Sequence, residues 1–448
     1  MKPSGKADLF FVSVIVAAHI VFFILALHFT RIYMGDSYEY VYMALNIKEQ
    51  FLFYSANAAL PIMLKNYTLR PPGYSLFLLL VYLFSVNNWI VIVVQNLVSI
   101  FNILYFRRTI QLIGYNKKYD WILLIFILAF PAQFIYANTI APDLLVQTCV
   151  LIYFRHFLLL LQKAEPRHAW LMSIALTYGL FTKPILYLFV PVHFLILLWA
   201  CFRFRVPRVA LLALIIPIGS ILLYNTWNLQ RTGKFHFTSI QPWNGVYYNV
   251  RMYQEHKLGR EKAGEYMQQI ESEWEQTKSF KEWYDFGNSR SMEFLKTHFF
   301  SYMVFHTKQS LQFFIHPGKG EIDLFTGALT YGKFYQKTNK RILQVLKETP
   351  VAKWPSFFAK NPSVPIMFVV LFLNGLKILG AAFFFFNKNI KWWCRLFVTL
   401  LLFYFSFMTG PLANTRYHLP VSLLFIGCAV LGYQKLLQSK KNERIITQ

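Results

Sequence analysis

The sequence predicts an all-α integral membrane protein, a multi-pass helical bundle that also carries an extramembrane, α-rich insert. Of its 448 residues, 56% are hydrophobic and only 15% are charged, whereas an ordinary soluble domain has about 25% charged residues. Long apolar runs recur along the chain, and Lys and Arg cluster between them. Runs of this kind are typical of membrane-spanning helices, and we expect about ten to eleven of them.

The net charge of +25 does not indicate a nucleic-acid-binding protein. The basic residues flank the apolar runs, as they do in membrane proteins. We therefore expect membrane lipids as partners and no nucleic acid. The four cysteines lie in or beside apolar runs and show neither a metal-ligand spacing nor a disulfide framework; they are Cys149, Cys201, Cys394 and Cys428.

The first predicted span covers residues 9–27. A cleaved signal peptide is the alternative, but its apolar region would be about 7–15 residues long and would precede a small-residue cleavage site. This run is longer, and aromatic and charged residues follow it. Lys2 and Lys6 precede the span and place the N-terminus in the cytoplasm.

Basic clusters set the topology of the remaining spans. These spans are predicted at residues 121–136, 144–161, 169–181, 185–200, 210–224, 366–386, 396–408 and 421–437. The cytoplasmic clusters are Arg107-Arg108 with Lys117-Lys118, Lys163 with Arg167, Arg203 with Arg205 and Arg208, Lys388 with Lys391, and Lys440-Lys441. Loops that contain Asp36, Arg70 and the segments 138–143, 182–184, 231–235 and 416–420 then share the opposite face. The charge pattern thus predicts that these polar segments form one site.

Residues 74–106 must cross the membrane an odd number of times, because Arg70 lies outside and Arg107 inside. The run is broken at Asn87-Asn88. Its first piece, residues 74–86, is shorter than the roughly 20 residues that a crossing needs. We expect a re-entrant or interfacial piece followed by one true crossing.

Three regions follow from this pattern: an N-terminal membrane module at 1–226 with its first outer loop at 29–73, an extramembrane insert at 227–365, and C-terminal membrane helices with a cytoplasmic tail at 366–448. Nine of the 20 acidic residues lie between positions 251 and 300. Residues 291–315 alternate apolar and basic side chains, which predicts an amphipathic helix in the interface. The insert is either a lid over the outer face or a solvated connector.

One acidic side chain and several cationic ones at a lipid–water boundary are the groups needed to transfer a sugar from a lipid phosphate. A carboxylate can take the proton of the attacking hydroxyl, and cations stabilise the negative charge on the leaving phosphate. We expect catalytic roles for Asp36 and Asp143. Contacts to the donor phosphate are predicted for Arg70, Lys183 and Arg416. Other substrate contacts are predicted for Glu39, Tyr74, Tyr417 and His418.

Each candidate also has a purely structural interpretation. Asp36 and Asp143 stand where helix N-caps are favoured, Asp36 before a short helix predicted at residues 37–50. Glu39 is placed to complete a capping box with Asp36. Arg70 and Lys183 are long enough to reach lipid headgroups from the membrane edge. No His, Cys or Asp spacing indicates a dedicated metal site, and a divalent cation between Asp36 and Asp143 is left open.

Five segments of this chain, in their order and in the membrane face that they share, resemble the motifs of the GT-C superfamily of membrane glycosyltransferases. They are the acidic loop at Asp36, Arg70-Pro71-Pro72-Gly73-Tyr74, Asp143, Lys183-Pro184 and Arg416-Tyr417-His418-Leu419-Pro420. The nearest groups are protein O-mannosyltransferase-like enzymes and the aminoarabinose transferases that modify lipid A. The resemblance implies a polyprenyl- or dolichyl-phosphate sugar donor and an inverting, single-displacement transfer outside the cytoplasm. It also implies that Asp36 is the essential acid of the first outer loop.

The sequence departs from the family pattern at two points, which bear on how the acceptor is oriented and on whether the acceptor is a protein. Some members carry paired acids in the first loop, whereas Asp36 is followed by Ser37 and the next acid is Glu39. The insert is also smaller than the domains that some relatives append.

The expected function is transfer of a hexosyl or pentosyl group to a lipid, glycan or protein hydroxyl. The expected location is a bacterial cytoplasmic membrane, with the site facing the periplasm. The alternatives are a transporter or flippase for a polyprenyl-linked glycan and a polysaccharide polymerase or ligase.

Overall fold

The structure, a computed structural model, describes residues 5–328 and 342–446; most of the described residues are helical, and none of them forms a β-strand. Lys2, which supports part of the topology prediction, lies outside these ranges. The N-terminal helices are α1 (Gly5–Phe29), α2 (Ser37–Gln50), α3 (Gly73–Tyr82), α4 (Asn88–Ile110), α5 (Asp120–Leu128), α6 (Pro131–Ala137), α7 (Asp143–Lys163), α8 (Arg167–Thr182), α9 (Phe189–Phe204) and α10 (Ile215–Thr232).

The insert contains α11 (Ile240–Asn244), α12 (Arg251–Leu258), α13 (Arg260–Glu275), α14 (Phe280–Ser310), α15 (Lys319–Phe325), α16 (Ile342–Glu348) and α17 (Trp354–Lys360). The C-terminal helices are α18 (Ser363–Phe385), α19 (Trp392–Thr409) and α20 (Thr415–Ile446).

Among the described residues, seven helices are long and apolar enough to cross a membrane: α1, α4, α7, α10, α18, α19 and α20. The pair α5 and α6, bent by 66°, makes an eighth when counted as one span. The other predicted crossings are shorter helices, since α8 and α9 have 16 residues each. At 1.5 Å per residue they extend about 24 Å, against about 30 Å for a bilayer core. Length alone therefore yields fewer spans than the ten to eleven predicted.

The chain between Arg70 and Arg107 forms one short and one long helix, as predicted. The short helix α3 has 10 residues, and α4 has 23. Asn87 begins α4, and its side chain accepts a hydrogen bond from the Trp89 backbone N–H at 2.9 Å. The Lys48 ammonium group binds the Tyr82 carbonyl at 2.7 Å and so ties α2 to the end of α3.

Gly73 allows α3 to begin directly against the end of α8. A β-carbon at this position would lie 2.6–2.7 Å from the backbone atoms of Phe181 and Thr182. No larger residue fits without moving one of the two helices, which gives a packing reason for glycine in the Arg70-Pro71-Pro72-Gly73-Tyr74 stretch. The contact brings the segment of Arg70 beside that of Lys183.

The insert packs against the apolar helices and against the loop between α2 and α3, and two contacts illustrate this. His306 of α14 lies 2.8 Å from the carbonyl of Phe407 in α19. The loop after α10 binds the first outer loop, where the Ser239 backbone N–H donates to the Thr68 carbonyl at 3.1 Å. The insert therefore stands beside the loops that carry the predicted site residues.

Candidate active site

The first outer loop is held in a defined position by Ser37. Its hydroxyl is 2.7 Å from the carbonyl of Met34 and 2.6 Å from that of Ile140, on the segment that precedes α7. It also accepts a hydrogen bond from the Met34 backbone N–H at 2.8 Å. Sequence analysis did not single out Ser37, because a hydroxyl that bridges loops 103 positions apart leaves no local pattern.

Asp36 stands at the N-cap position of α2, yet its side chain makes no capping hydrogen bond. Its carboxylate instead faces Arg416, whose Nη2 donates to Oδ2 at 3.0 Å. Oδ1 lies 2.8 Å from the same Nη2 but makes no hydrogen bond there, because the geometry is unsuitable. Asp36 therefore has a strong ionic partner and one buried carboxylate oxygen without a hydrogen bond.

Asp143 is the first residue of α7, and its side chain is completely buried. It also makes no capping hydrogen bond. Lys183 Nζ lies 2.6 Å from its Oδ1, and Arg416 Nε donates to its Oδ2 at 2.9 Å. Arg416 thus connects both acids, and its guanidinium lies where a cation shared by Asp36 and Asp143 would have to bind.

Arg70 closes the other side of the cluster. Its Nε donates to Glu39, and its Nη1 lies 3.5 Å from Asp36 Oδ2. Its guanidinium carbon is 5.6 Å from the centre of the Tyr40 ring, within cation–π range. Glu39 therefore binds Arg70 and does not complete a capping box.

The cluster combines three acids with three cations, so their formal charges cancel. Burial acts to raise the pKa of Asp36, but the charges of Arg416, Arg70 and Lys183 outweigh it and hold that pKa at about 2. For Lys183, burial outweighs the attraction of Asp143 and lowers the pKa of the ammonium group. Because its pKa is about 2, Asp36 is ionised at neutral pH.

The tyrosines and the histidine that were predicted to contact substrate lie at different distances from the charged cluster. The ring of Tyr417 packs under Lys183, with Nζ 4.4 Å from the ring centre. Tyr74 is fully buried; its hydroxyl binds Gln95, and its ring meets Tyr40 edge to face at 5.1 Å. Tyr40 contacts both this ring and Arg70.

His418 lies apart from the carboxylates, among aromatic rings. Phe313 is 4.6 Å away and Phe130 is 5.4 Å away, measured between ring centres. The prediction that Tyr74 and His418 contact substrate stays a prediction.

An apolar groove of about 550 Å³ opens beside the cluster, between α3, α8 and α10. Its lining includes Pro72, Phe181, Tyr224 and Trp227. Arg70 precedes Pro72 by two positions, and Lys183 follows Phe181 by two. Two of the cluster's cations therefore flank one end of the groove.

Arg231 stands at the same end and was not among the predicted site residues. Its guanidinium carbon lies 3.6 Å from the centre of the Trp227 ring. Its side chain donates to Asn228, its Nε is buried without a hydrogen bond, and no acid of the described residues pairs with it. The basic loop at 231–235 was visible in the sequence, but which of its cations is unpaired depends on tertiary contacts.

In the described ranges, no group of three or more His, Cys, Asp and Glu side chains is placed to hold a metal ion.

No protein-family model and no curated protein matches the chain. The crystal structure of ArnT from Cupriavidus metallidurans bound to undecaprenyl phosphate aligns with 96% of this chain and 79% of that one, with a TM-score of 0.41 and 13% identity. The apo structure of the same protein aligns over 95% and 77%, with a TM-score of 0.39 and 13% identity.

Proposed function

We propose that the protein is a membrane glycosyltransferase that moves one sugar from a polyprenyl-phosphate donor to an acceptor hydroxyl at the outer face. One observation carries the proposal: an ionised carboxylate, Asp36, belongs to a charged cluster beside an apolar groove whose end is flanked by three cations. These are the groups required to deprotonate a hydroxyl and to hold a lipid phosphate.

The groove suits the lipid part of the donor. Apolar side chains form most of its lining, and it runs between membrane helices, where a polyprenyl chain can enter from the bilayer. Arg70, Lys183 and Arg231 then stand at the level where the phosphate would lie. Arg can bind a phosphate with two parallel hydrogen bonds, and Lys acts as a point charge.

Of the three cations, Arg231 is the most available to bind the phosphate. Arg70 and Lys183 are already paired with acids, whereas Arg231 has only neutral partners among the described residues. Arg231 is partly buried; a cation in that position without an acidic partner is costly, and a phosphate would offset the cost. The prediction that Arg416 also contacts the phosphate stays a prediction, since two carboxylates already engage its guanidinium.

The chemistry is a single displacement. The acceptor oxygen forms a bond to the anomeric carbon, the bond from that carbon to the phosphate oxygen breaks, and the electron pair stays on the leaving lipid phosphate. Asp36 takes the hydroxyl proton and later releases it to water. Attack opposite to the leaving phosphate inverts the anomeric centre.

Donor binding would also raise the pKa of the general base, Asp36. A general base works best when its pKa lies near the working pH, and the pKa of Asp36, about 2, is well below that. A phosphate that draws Arg70 and Lys183 toward itself weakens their hold on the acids. The pKa of Asp36 then rises, so the base becomes effective when the donor is in place.

The test uses purified protein in liposomes with a panel of polyprenyl-phosphate sugars and hydroxyl acceptors, and it measures the released polyprenyl phosphate. Wild-type protein should release it with at least one donor, and Asp36→Asn should not. Glu49→Gln is the control, because Glu49 lies exposed at the far end of the same helix, α2. Equal release by Asp36→Asn and wild type would remove Asp36 from the chemistry. Movement of intact donor across the bilayer without release would favour a flippase.

A further inference from the structure

Helix α14 of the insert consists of two halves with different surfaces. Its backbone leaves helical geometry at His298. Before this kink, α14 carries acidic residues, the last of which is Glu293. The next acid in the chain is Glu321. We call the segment after the kink, residues 299–315, the arm.

The arm is fastened by one face and exposes apolar side chains on the other. Tyr302 and Phe305 are buried, and His306 binds the carbonyl of Phe407. On the outward face Phe300 is 83% exposed and Val304 is 69% exposed. Contiguous exposed apolar surface of this kind marks a site of contact with a partner or a membrane.

The exposed face of the arm continues the lipid-facing stripe of α19. On that spanning helix, Leu400, Phe403 and Phe407 are exposed at spacings of three and four residues, which places them on one face. Phe314 of the arm meets Phe403 at 5.9 Å, and His306 meets Phe407 at 4.7 Å, both between ring centres. A surface that contacts acyl chains on α19 thus passes directly onto the arm.

We propose that the arm lies in the membrane leaflet on the side of the candidate site, with Phe299, Phe300 and Val304 among the lipid acyl chains. Lys296 and Lys308 are exposed beside this face and are long enough to reach the headgroups. The acid-rich half of α14 stays in water. The arm then anchors the insert next to α19, and this role does not depend on the proposed catalytic function.

The experiment attaches the environment-sensitive dye NBD to Phe300→Cys or Val304→Cys in liposomes. Ser289→Cys, on the polar half of the same helix and also exposed, is the matched control. The protein without an added cysteine measures background labelling, since three native cysteines are buried and Cys201 lies on α9. Quenching is measured with aqueous iodide and with lipids that carry nitroxide groups on their acyl chains.

At positions 300 and 304 we expect quenching by the nitroxide lipids to be several-fold stronger than at 289, and quenching by iodide to be several-fold weaker. Equal iodide quenching at 289, 300 and 304 would overturn the proposal. Protection of 300 and 304 from both quenchers would also overturn it, and would indicate a protein surface there. Because both side chains are largely exposed, substitution at either position is not expected to disturb folding, and the two positions check each other.

Discussion

Nε of Arg416 donates a hydrogen bond of 2.9 Å to Oδ2 of Asp143, across 273 positions of sequence. The same guanidinium binds Asp36 through Nη2. One side chain of α20 therefore sets the distance between an acid at the start of α2 and an acid at the start of α7.

Asp36→Asn should abolish most of the turnover without weakening donor binding. A general base contributes about 10²–10⁴-fold to a rate, and an amide of the same shape can still bind Arg416. The measurement is kcat together with the Kd for polyprenyl phosphate in liposomes. Loss of binding along with turnover would show that Asp36 organises the donor site.

Arg416→Met should destabilise the protein by about 3–5 kcal/mol, the usual cost of leaving a buried charge without its partner. The three acids would then face only two cations. Adding Asp36→Asn restores the balance, so the double variant Asp36→Asn/Arg416→Met should recover part of that loss.

The measurement is the free energy of unfolding of the wild type, the two single variants and the double variant in detergent. Simple additivity of the two single losses would mean that Asp36 and Arg416 are not energetically coupled.

Glu39→Gln should strengthen the binding of polyprenyl phosphate several-fold, because Arg70 loses one of its two competing carboxylates. Binding is measured by isothermal calorimetry, with Glu49→Gln as the matched control. Unchanged affinity in Glu39→Gln would show that Arg70 does not reach the phosphate.

Arg231→Met should weaken the same binding by roughly 10–100-fold, since a hydrogen bond to a charged group contributes about 1.5–3 kcal/mol. Lys262→Met, an exposed cation on α13, controls for the change in net charge. An equal effect of the two substitutions would leave no specific role for Arg231.

Stability should fall as the pH drops from 6.5 toward 4, partly through His236, which joins the first outer loop to the insert. Its Nε2 lies 2.8 Å from Thr68 Oγ1, and its Nδ1 lies 2.8 Å from the carbonyl of Lys234. Burial lowers the pKa of His236 to about 4, while the unfolded chain keeps a value near 6.5. The unfolded state therefore binds more protons within this window, and acid favours unfolding.

His236→Gln removes the titrating group and should flatten this part of the pH dependence of the unfolding midpoint. Identical slopes in the variant and the wild type would assign the effect to other groups.

Local patterns in the sequence were enough for much of the fold. The helix predicted at residues 37–50 is α2, and the break at Asn87-Asn88 separates α3 from α4. Both rest on neighbouring residues, through apolar periodicity and capping. The number of spans was harder to predict, because an apolar run does not tell whether a 16-residue helix such as α8 crosses the membrane alone.

The sequence by itself determined the membrane class, the clustering of basic residues between the apolar runs and the residue types available for chemistry, since hydropathy and charge are properties of each segment. Only the tertiary structure decided that Asp36 pairs with Arg416 and does not cap α2, that His418 lies among aromatic rings, and that Arg231 has no acid partner among the described residues. These outcomes depend on how helices far apart in sequence rotate and pack against one another. A side chain's partner is set by that packing, and no local spacing encodes it.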